Sequence, residues 1–145
     1  MDRAFLERSD RLAAHMARDS RFVSEELLAR LPQVSQGELD GLPHGALRLD
    51  DAGRVLAYND FEAKLSGIAP ESALGRDFFR ELAPCTNNSL FRGLFRRGVA
   101  QGYLDHLMPY TYTLRMAPTH MVVHLFGRTG TTGWWLFSRR AGSAA

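Results

Sequence analysis

Cysteine is nearly absent from this 145-residue chain: Cys85 is the only one. A single thiol excludes an internal disulfide, and with it the disulfide-stapled secreted folds. It equally excludes zinc sites built on several thiolates. Charge of one sign is lacking too. Eighteen basic and sixteen acidic residues leave a net charge of +2, and Lys64 is the only lysine among the basic ones. That excess is too small for a dedicated nucleic-acid or membrane-surface binder. No apolar run approaches the roughly 20 residues needed to span a bilayer, and the start Met1-Asp2-Arg3 opens no continuous hydrophobic stretch of the kind a secretory signal needs. A cytoplasmic protein with a reduced thiol is the expectation. What is present is ordinary: 45% apolar and 23% charged residues are globular usage, and the length suits one compact domain.

The organisation follows from periodicity. Residues 2–31 read as helical, with Phe5, Leu6, Leu12 and Met16, then Phe22, Leu27, Leu28 and Leu31, at near-helical spacing among Arg, Glu and Asp. Ser24 and Leu27 make no capping box, Pro32 is expected to end the second helix, and Val34–Asp40 reads as a connector. From Gly45 the period changes to two. Gly45–Asp50 and Arg54–Tyr58 alternate around the turn Asp51-Ala52-Gly53, which predicts a hairpin. Asn59 is placed to cap a short helix over 60–66. Gly67, Pro70, Gly75 and Pro84 break the next stretch into short pieces. Leu90–Gln101 reads as a helix closed by Gly102. Tyr103–Met116, Thr119–Gly127 and Gly133–Arg139 read as strands, with Gly127–Gly133 the last turn. Two strands, short helices, one longer helix and three strands predict an α+β fold, an antiparallel sheet with helices across one face and room for a pocket between them.

Few groups could carry chemistry. Tyr58, Glu62 and Ser66 are spaced i, i+4, i+8 and would share a face if the stretch were helical throughout, giving a phenol, a carboxyl and a hydroxyl in file. The plainer reading is a tyrosine closing a strand and two polar residues facing water. Cys85 follows Pro84 and precedes the polar run Thr86-Asn87-Asn88. A lone cysteine is commonly a small buried hydrophobe. A cysteine nucleophile would need a paired histidine, and no local signature joins any of the five histidines to it. His120 and His124 would lie roughly 13 Å apart on a strand, too far to share a metal ion. The glycine-rich Gly127–Gly133 joins strand to strand rather than strand to helix, which is a turn and not a phosphate loop. Arg92, Arg96 and Arg97 make a solvated helix face.

Taken together, these segments resemble the photoactive yellow protein family. The resemblance is carried by GELDGL at Gly37–Leu42, LAYN at Leu56–Asn59 with Glu62, GRDFF at Gly75–Phe79, APCT at Ala83–Thr86, GVAQG at Gly98–Gly102, YTY at Tyr110–Tyr112, MAPT at Met116–Thr119, and Trp135. It runs from about Phe22 to Arg140 without an apparent gap. It implies a PAS-like antiparallel five-stranded sheet with a helical cap, divided as 1–41 (extension and cap), 42–140 (core) and 141–145 (disordered tail). It further implies a blue-light photoreceptor, not an enzyme, with p-coumaric acid (4-hydroxycinnamic acid) held on Cys85 as a thioester. Tyr58, Glu62 and Ser66 would hydrogen-bond around the ring phenolate, with Leu47, Ile68, Phe78, Phe79, Ala83, Thr86, Tyr112 and Met116 about the pocket. The chain departs from the family at Ile68, where the best-known members carry an arginine, and at Ser66, Tyr112 and Leu114, which replace threonine, phenylalanine and tyrosine. The implied partner is an unidentified downstream signalling protein, with neither nucleic acid nor membrane involved, and the apolar stripe of the N-terminal residues beyond the matching part could dock on the core or build a homodimer.

Overall fold

The computed structural model describes residues 21–113, 118–128 and 133–142. The hairpin forms where alternation predicts it: β1 is Gly45–Leu49 and β2 is Val55–Tyr58. Asp50 folds back on the turn, its Oδ1 accepting from the backbone N–H of Ala52 and of Arg54. The remaining strands are β3 (Tyr103–Tyr112), β4 (Thr119–Arg128) and β5 (Trp134–Arg140). They assemble in the order β2-β1-β5-β4-β3, every neighbouring pair antiparallel. The expected five-stranded α+β sheet is thus the observed one. β3 is described only to Tyr112 as strand, so the expected extension through Leu114 to Met116 lies outside the described residues, as do 1–20 and the tip of the last turn.

Helical segments differ from expectation near the start. Residues 21–24 are not helical. Ser24 does cap: its Oγ accepts from Leu27 N–H and starts α1, Glu25–Ala29. The helix stops at Ala29, and Pro32, whose fixed φ suits a first turn, sits in a separate 3-10 turn, Leu31–Gln33. The predicted connector Val34–Asp40 contains a second short helix, α2 (Gln36–Asp40). Ser35 caps it by accepting from Glu38 N–H, and Leu39 supplies the buried side chain that anchors it. One apolar anchor in five residues has no detectable period, which is why the sequence reads as a linker.

Farther on the reading holds. Asn59 caps α3 (Asp60–Ser66), ended by Gly67 in the left-handed region at φ 75°. A short α4 (Pro70–Ala73), a wide π-type turn (Phe78–Leu82) and a 3-10 turn (Pro84–Thr86) follow. The long helix α5 (Phe91–Gln101) ends at left-handed Gly102.

Both faces of the sheet are covered. Leu47, Leu49, Met121, Val123, Leu125 and Leu136 pack with Phe78, Phe79, Phe91 and Phe95 beneath α3–α5. The alternate residues Ala46, Phe126, Trp135 and Phe137 pack under Val23, Leu27, Leu28, Leu31 and Leu39 of the N-terminal cap. Period two along the central strands therefore serves two apolar layers, the second being the cap itself. Leu31 is 1% exposed at the centre of that outer layer. Leu31→Ala should lower the unfolding free energy by about 2–5 kcal/mol, read by urea denaturation; a loss below about 0.5 kcal/mol, within the range of surface substitutions, would mean that the cap adds little to the fold.

Candidate functional site

Asn59 sets the local geometry. Its side chain is fully buried and fully used. Oδ1 accepts from Ala46 N–H (3.0 Å) and Glu62 N–H (3.1 Å), and Nδ2 donates to the carbonyls of Leu39 (2.7 Å) and His44 (3.0 Å). The strand end at Tyr58 is thereby turned into α3 with one register. Tyr58 comes from β2, so the three expected residues are not in one helical file. Its hydroxyl still reaches Ser66 Oγ at 2.5 Å and the backbone carbonyl of Glu62 at 3.4 Å. Ser66 Oγ also accepts from Ile68 N–H (3.1 Å). With that bond in place the serine proton is free to go to Tyr58, leaving the phenolic proton for another acceptor.

The carboxyl of Glu62 does not pair with Tyr58. It accepts from Ser138 Oγ of β5 at 2.5 Å. Ser138 was not singled out by the sequence, since a serine in a strand that also holds two tryptophans and a phenylalanine carries no signal of a partner 76 residues away. Gly45 completes the contact: a Cβ there would overlap both the Glu62 carboxyl and Ser138 Oγ. Burial disfavours the charged carboxyl and pushes its pKa up to about 7 from 4.5, against the pull of the Ser138 hydrogen bond. Burial likewise pushes Tyr58 up to about 12, partly offset by Ser66.

These donors open on a cavity of about 300 Å³ between the sheet and α3, at the small end of ligand pockets. Tyr58, Glu62 and Ser66 line it together with Leu65, Ile68, Phe78, Leu82, Ala83 and Tyr112. Leu47, Phe79 and Thr86, expected around it, are set back from the lining. Leu47 is fully buried in β1, Phe79 sits between Phe78, Phe91 and Phe95, and the Thr86 hydroxyl is turned to the carbonyl of Ala83 at 2.7 Å. Met116 lies outside the described residues. Lys64 and Thr119, not foreseen, also reach the cavity.

Cys85 is partly buried on the Pro84–Thr86 turn, two residues from cavity-lining Ala83. Tyr110 Oη and Asn88 Nδ2 both donate to its carbonyl, at 2.5 and 3.1 Å, which fixes the turn. The Tyr112 phenol is pushed well above the usual tyrosine range, by burial first and then by the nearby Glu62, Cys85, Tyr110 and Tyr58. The described histidines have other partners or positions: His44 and His124 are buried under the cap side, His120 bonds Thr111 at 2.9 Å, and His106 is exposed. His124 Nε2 meets Asp105 at 2.7 Å. Among the described residues no three His, Cys, Asp or Glu side chains gather as a metal site, and no helix is long and apolar enough to cross a membrane.

A five-stranded antiparallel sheet with a ligand-sized cavity under its short helices defines a PAS-type domain. The PAS domain of an HTR-like protein from Haloarcula marismortui shares that fold, with TM-score 0.54 at 17% identity over 81% of this chain and 99% of that one. The chain belongs to the photoactive yellow protein family, a class of PAS-fold photoreceptors. The photoactive yellow protein of Rhodothalassium salexigens is 34% identical over 120 residues, covering 83% of this chain and 96% of that protein. The photoactive yellow protein domain of the sensor histidine kinase Ppr from Rhodospirillum centenum superposes with TM-score 0.72 at 36% identity, over 77% of this chain and 98% of that one. A scan against protein-family models finds no match.

The Glu62 shift fixes a pH dependence. Between 4.5 and about 7 the folded chain holds more protons at Glu62 than the unfolded chain does. This group therefore makes stability fall as pH rises through that window, by about 3 kcal/mol at roughly 1.4 kcal/mol per unit. His44 and His124, lowered by burial from 6.5, act in the opposite sense. Glu62→Gln removes the first effect and keeps the second. Urea titrations at stepped pH should show the parent losing stability relative to E62Q across the window; a difference that stays constant would show that Glu62 titrates like an exposed carboxyl.

Proposed function

We propose that the chain is a blue-light receptor carrying a 4-hydroxycinnamoyl (p-coumaroyl) group as a thioester on Cys85, with the response transmitted through the N-terminal cap. The observation that carries this reading is the convergence, on one mostly apolar cavity whose lining residue Ala83 is two positions from Cys85, of two groups able to donate to a phenolate: the Tyr58 hydroxyl, which otherwise donates to the backbone carbonyl of Glu62, and the Glu62 carboxyl, whose pKa burial raises to about 7. A flat aromatic ring with one ionisable oxygen fits walls of Leu65, Ile68, Phe78 and Leu82. Attachment needs an activated 4-hydroxycinnamoyl ester made by separate enzymes. The Cys85 thiolate attacks its carbonyl carbon, the C–S bond forms, and the bond to the activating group breaks. The leaving group departs with that electron pair, and the thiol proton goes to solvent. When bound, the conjugated thioester supplies visible absorption and a double bond that light isomerises from trans to cis.

The chain's own residues supply the rest. Tyr58 and Glu62 donate to the phenolate, with charge-assisted bonds that offset the cost of burying it. Ser66 supports Tyr58. Ile68, where the best-known members carry an arginine, lines the pocket with an apolar side chain. Loss of the Glu62 proton toward the cavity leaves a buried carboxylate. An unpaired charge of that kind costs several kcal/mol against a total stability of about 5–15 kcal/mol. The strain is relieved where cohesion is weakest. The cap is the candidate, since Asn59 links the Glu62 backbone N–H directly to the carbonyls of Leu39 and His44 at the cap's base. A cytoplasmic signalling protein, or a second copy through the N-terminal residues, would read the released cap.

Chain produced with activated p-coumarate should show a visible band and one hydroxycinnamoyl adduct by intact mass, both lost in Cys85→Ala. A colourless, unmodified chain under saturating activated ester refutes the reading in favour of a PAS module with another ligand or none, and turnover of the ester points instead to a thiol enzyme. Glu62→Gln should keep a visible band but lose light-induced hydrogen exchange in residues 21–41; exchange as large as in the parent would disprove the buried-charge account of signalling.

A further inference from the structure

Ser138 has no part in the proposed machinery so far, yet it makes the hydrogen bond to the Glu62 carboxyl. It is fully buried in β5, opposite Gly45 of β1 and Val123 of β4. It does not line the cavity, whereas Glu62 does. Its 2.5 Å bond therefore ties Oε1 of Glu62 to the sheet, while the same residue lines the cavity. The space for this bond is made by Gly45, the cross-strand neighbour of Ser138, because any side chain there would overlap both bonded groups. Three residues from β1, α3 and β5 thus form one interlocked contact, of which a hydroxyl on a residue between Phe137 and Arg139 is the least expected member.

We propose that Ser138 is a positioning residue for Glu62: it orients the carboxyl toward the cavity and remains as the hydrogen-bond donor to the carboxylate once the proton has gone. The proposal rests on the reading of Glu62 as the proton donor. A serine hydroxyl can serve both protonation states, because its proton can be given to either form of the carboxyl oxygen. The bond is worth more to the charged form, since hydrogen bonds to ionised acceptors are the stronger ones. Ser138 is thus a softener of the switch: it lowers the cost of the buried carboxylate without offering a counter-charge. The other titratable groups facing Glu62 are Tyr58 of β2 and Tyr112 of β3, both held in the neutral phenol form at neutral pH. Lys64 of α3 shares the cavity lining. Ser138 is the group whose hydrogen bond favours the carboxylate.

The test uses the full chain with nothing bound, so that it stands apart from chromophore attachment. Infrared spectra across the neutral range give the protonated carboxyl stretch of Glu62, assigned by its absence in E62Q. In Ser138→Ala the stretch should move to higher frequency, and the Glu62 midpoint should rise by about one pH unit, tenfold in the protonation equilibrium. Ser138→Thr, which restores a hydroxyl, should bring both back toward the parent. A band and midpoint in S138A identical to the parent, in a chain that melts cooperatively, would overturn the proposal and reduce Ser138 to a space-filler. Failure of the chromophore reading would appear instead as absent colour and adduct, with the S138A shift intact.

Discussion

The four hydrogen bonds of the Asn59 amide are the constraint on which the site depends. One side chain joins the first strand, the base of the cap and the first turn of α3, and leaves no polar atom of its own unmatched. Removing any partner would strand a buried amide group, which costs more than the bond itself contributes. Because Asn59 lies between Tyr58 and the helix bearing Glu62 and Ser66, its placement decides where the phenol, the carboxyl and the hydroxyl meet. Neighbouring contacts reinforce the joint: Asp40 accepts from Asp60 N–H at 2.9 Å, and Gln36 donates to the Tyr58 carbonyl at 3.2 Å. The short helix α2 is held here far more by these ties than by its own propensity.

Around that joint the molecule sets a buried acid against two apolar layers. The inner layer surrounds the cavity and gives the carboxyl its raised pKa by withholding water. The outer layer docks the cap with aliphatic and aromatic contacts, including the stacked Trp135–Phe137 pair and Phe22, which meets His44 edge-on and lies under the Arg139 guanidinium. Ionisation in one layer and docking in the other draw on the same sheet residues in alternation: Leu136 and Ser138 face inward, while Trp135 and Phe137 face the cap. The cavity and the cap therefore lie on opposite faces of the same strands.

Much of this was legible in residue order. The hairpin, the Asn59 cap, the helix closed by Gly102 and the last three strands each carry a local signal, whether period two, a capping side chain or a left-handed glycine. The candidate residues Tyr58, Glu62 and Ser66 were visible as types at a spacing, although the shared helical face was not the arrangement formed. What escaped was non-local or short. Helix α2 has one buried leucine and no period. Ser138 is an unremarkable polar residue until β5 is laid beside β1. Leu47 and Phe79, which the resemblance implies about the pocket, pack within the apolar layer, and the Thr86 hydroxyl turns to the Ala83 carbonyl.

By itself, the sequence determined the strands and turns, the ordinary globular composition, the lone thiol, and the motifs that place the chain in the photoactive yellow protein family. Those properties are written in nearest-neighbour spacing, which survives without knowledge of the fold. The tertiary structure alone decided that Glu62 pairs with Ser138, that Gly45 must lack a side chain, that the cap covers the sheet face opposite the cavity, and that the Cys85 turn is pinned by Tyr110 and Asn88. The physical reason is distance along the chain: apart from the local Asn88 bond, these contacts join residues far apart in sequence. Their energies exist only once strand order and register bring the atoms within hydrogen-bond range.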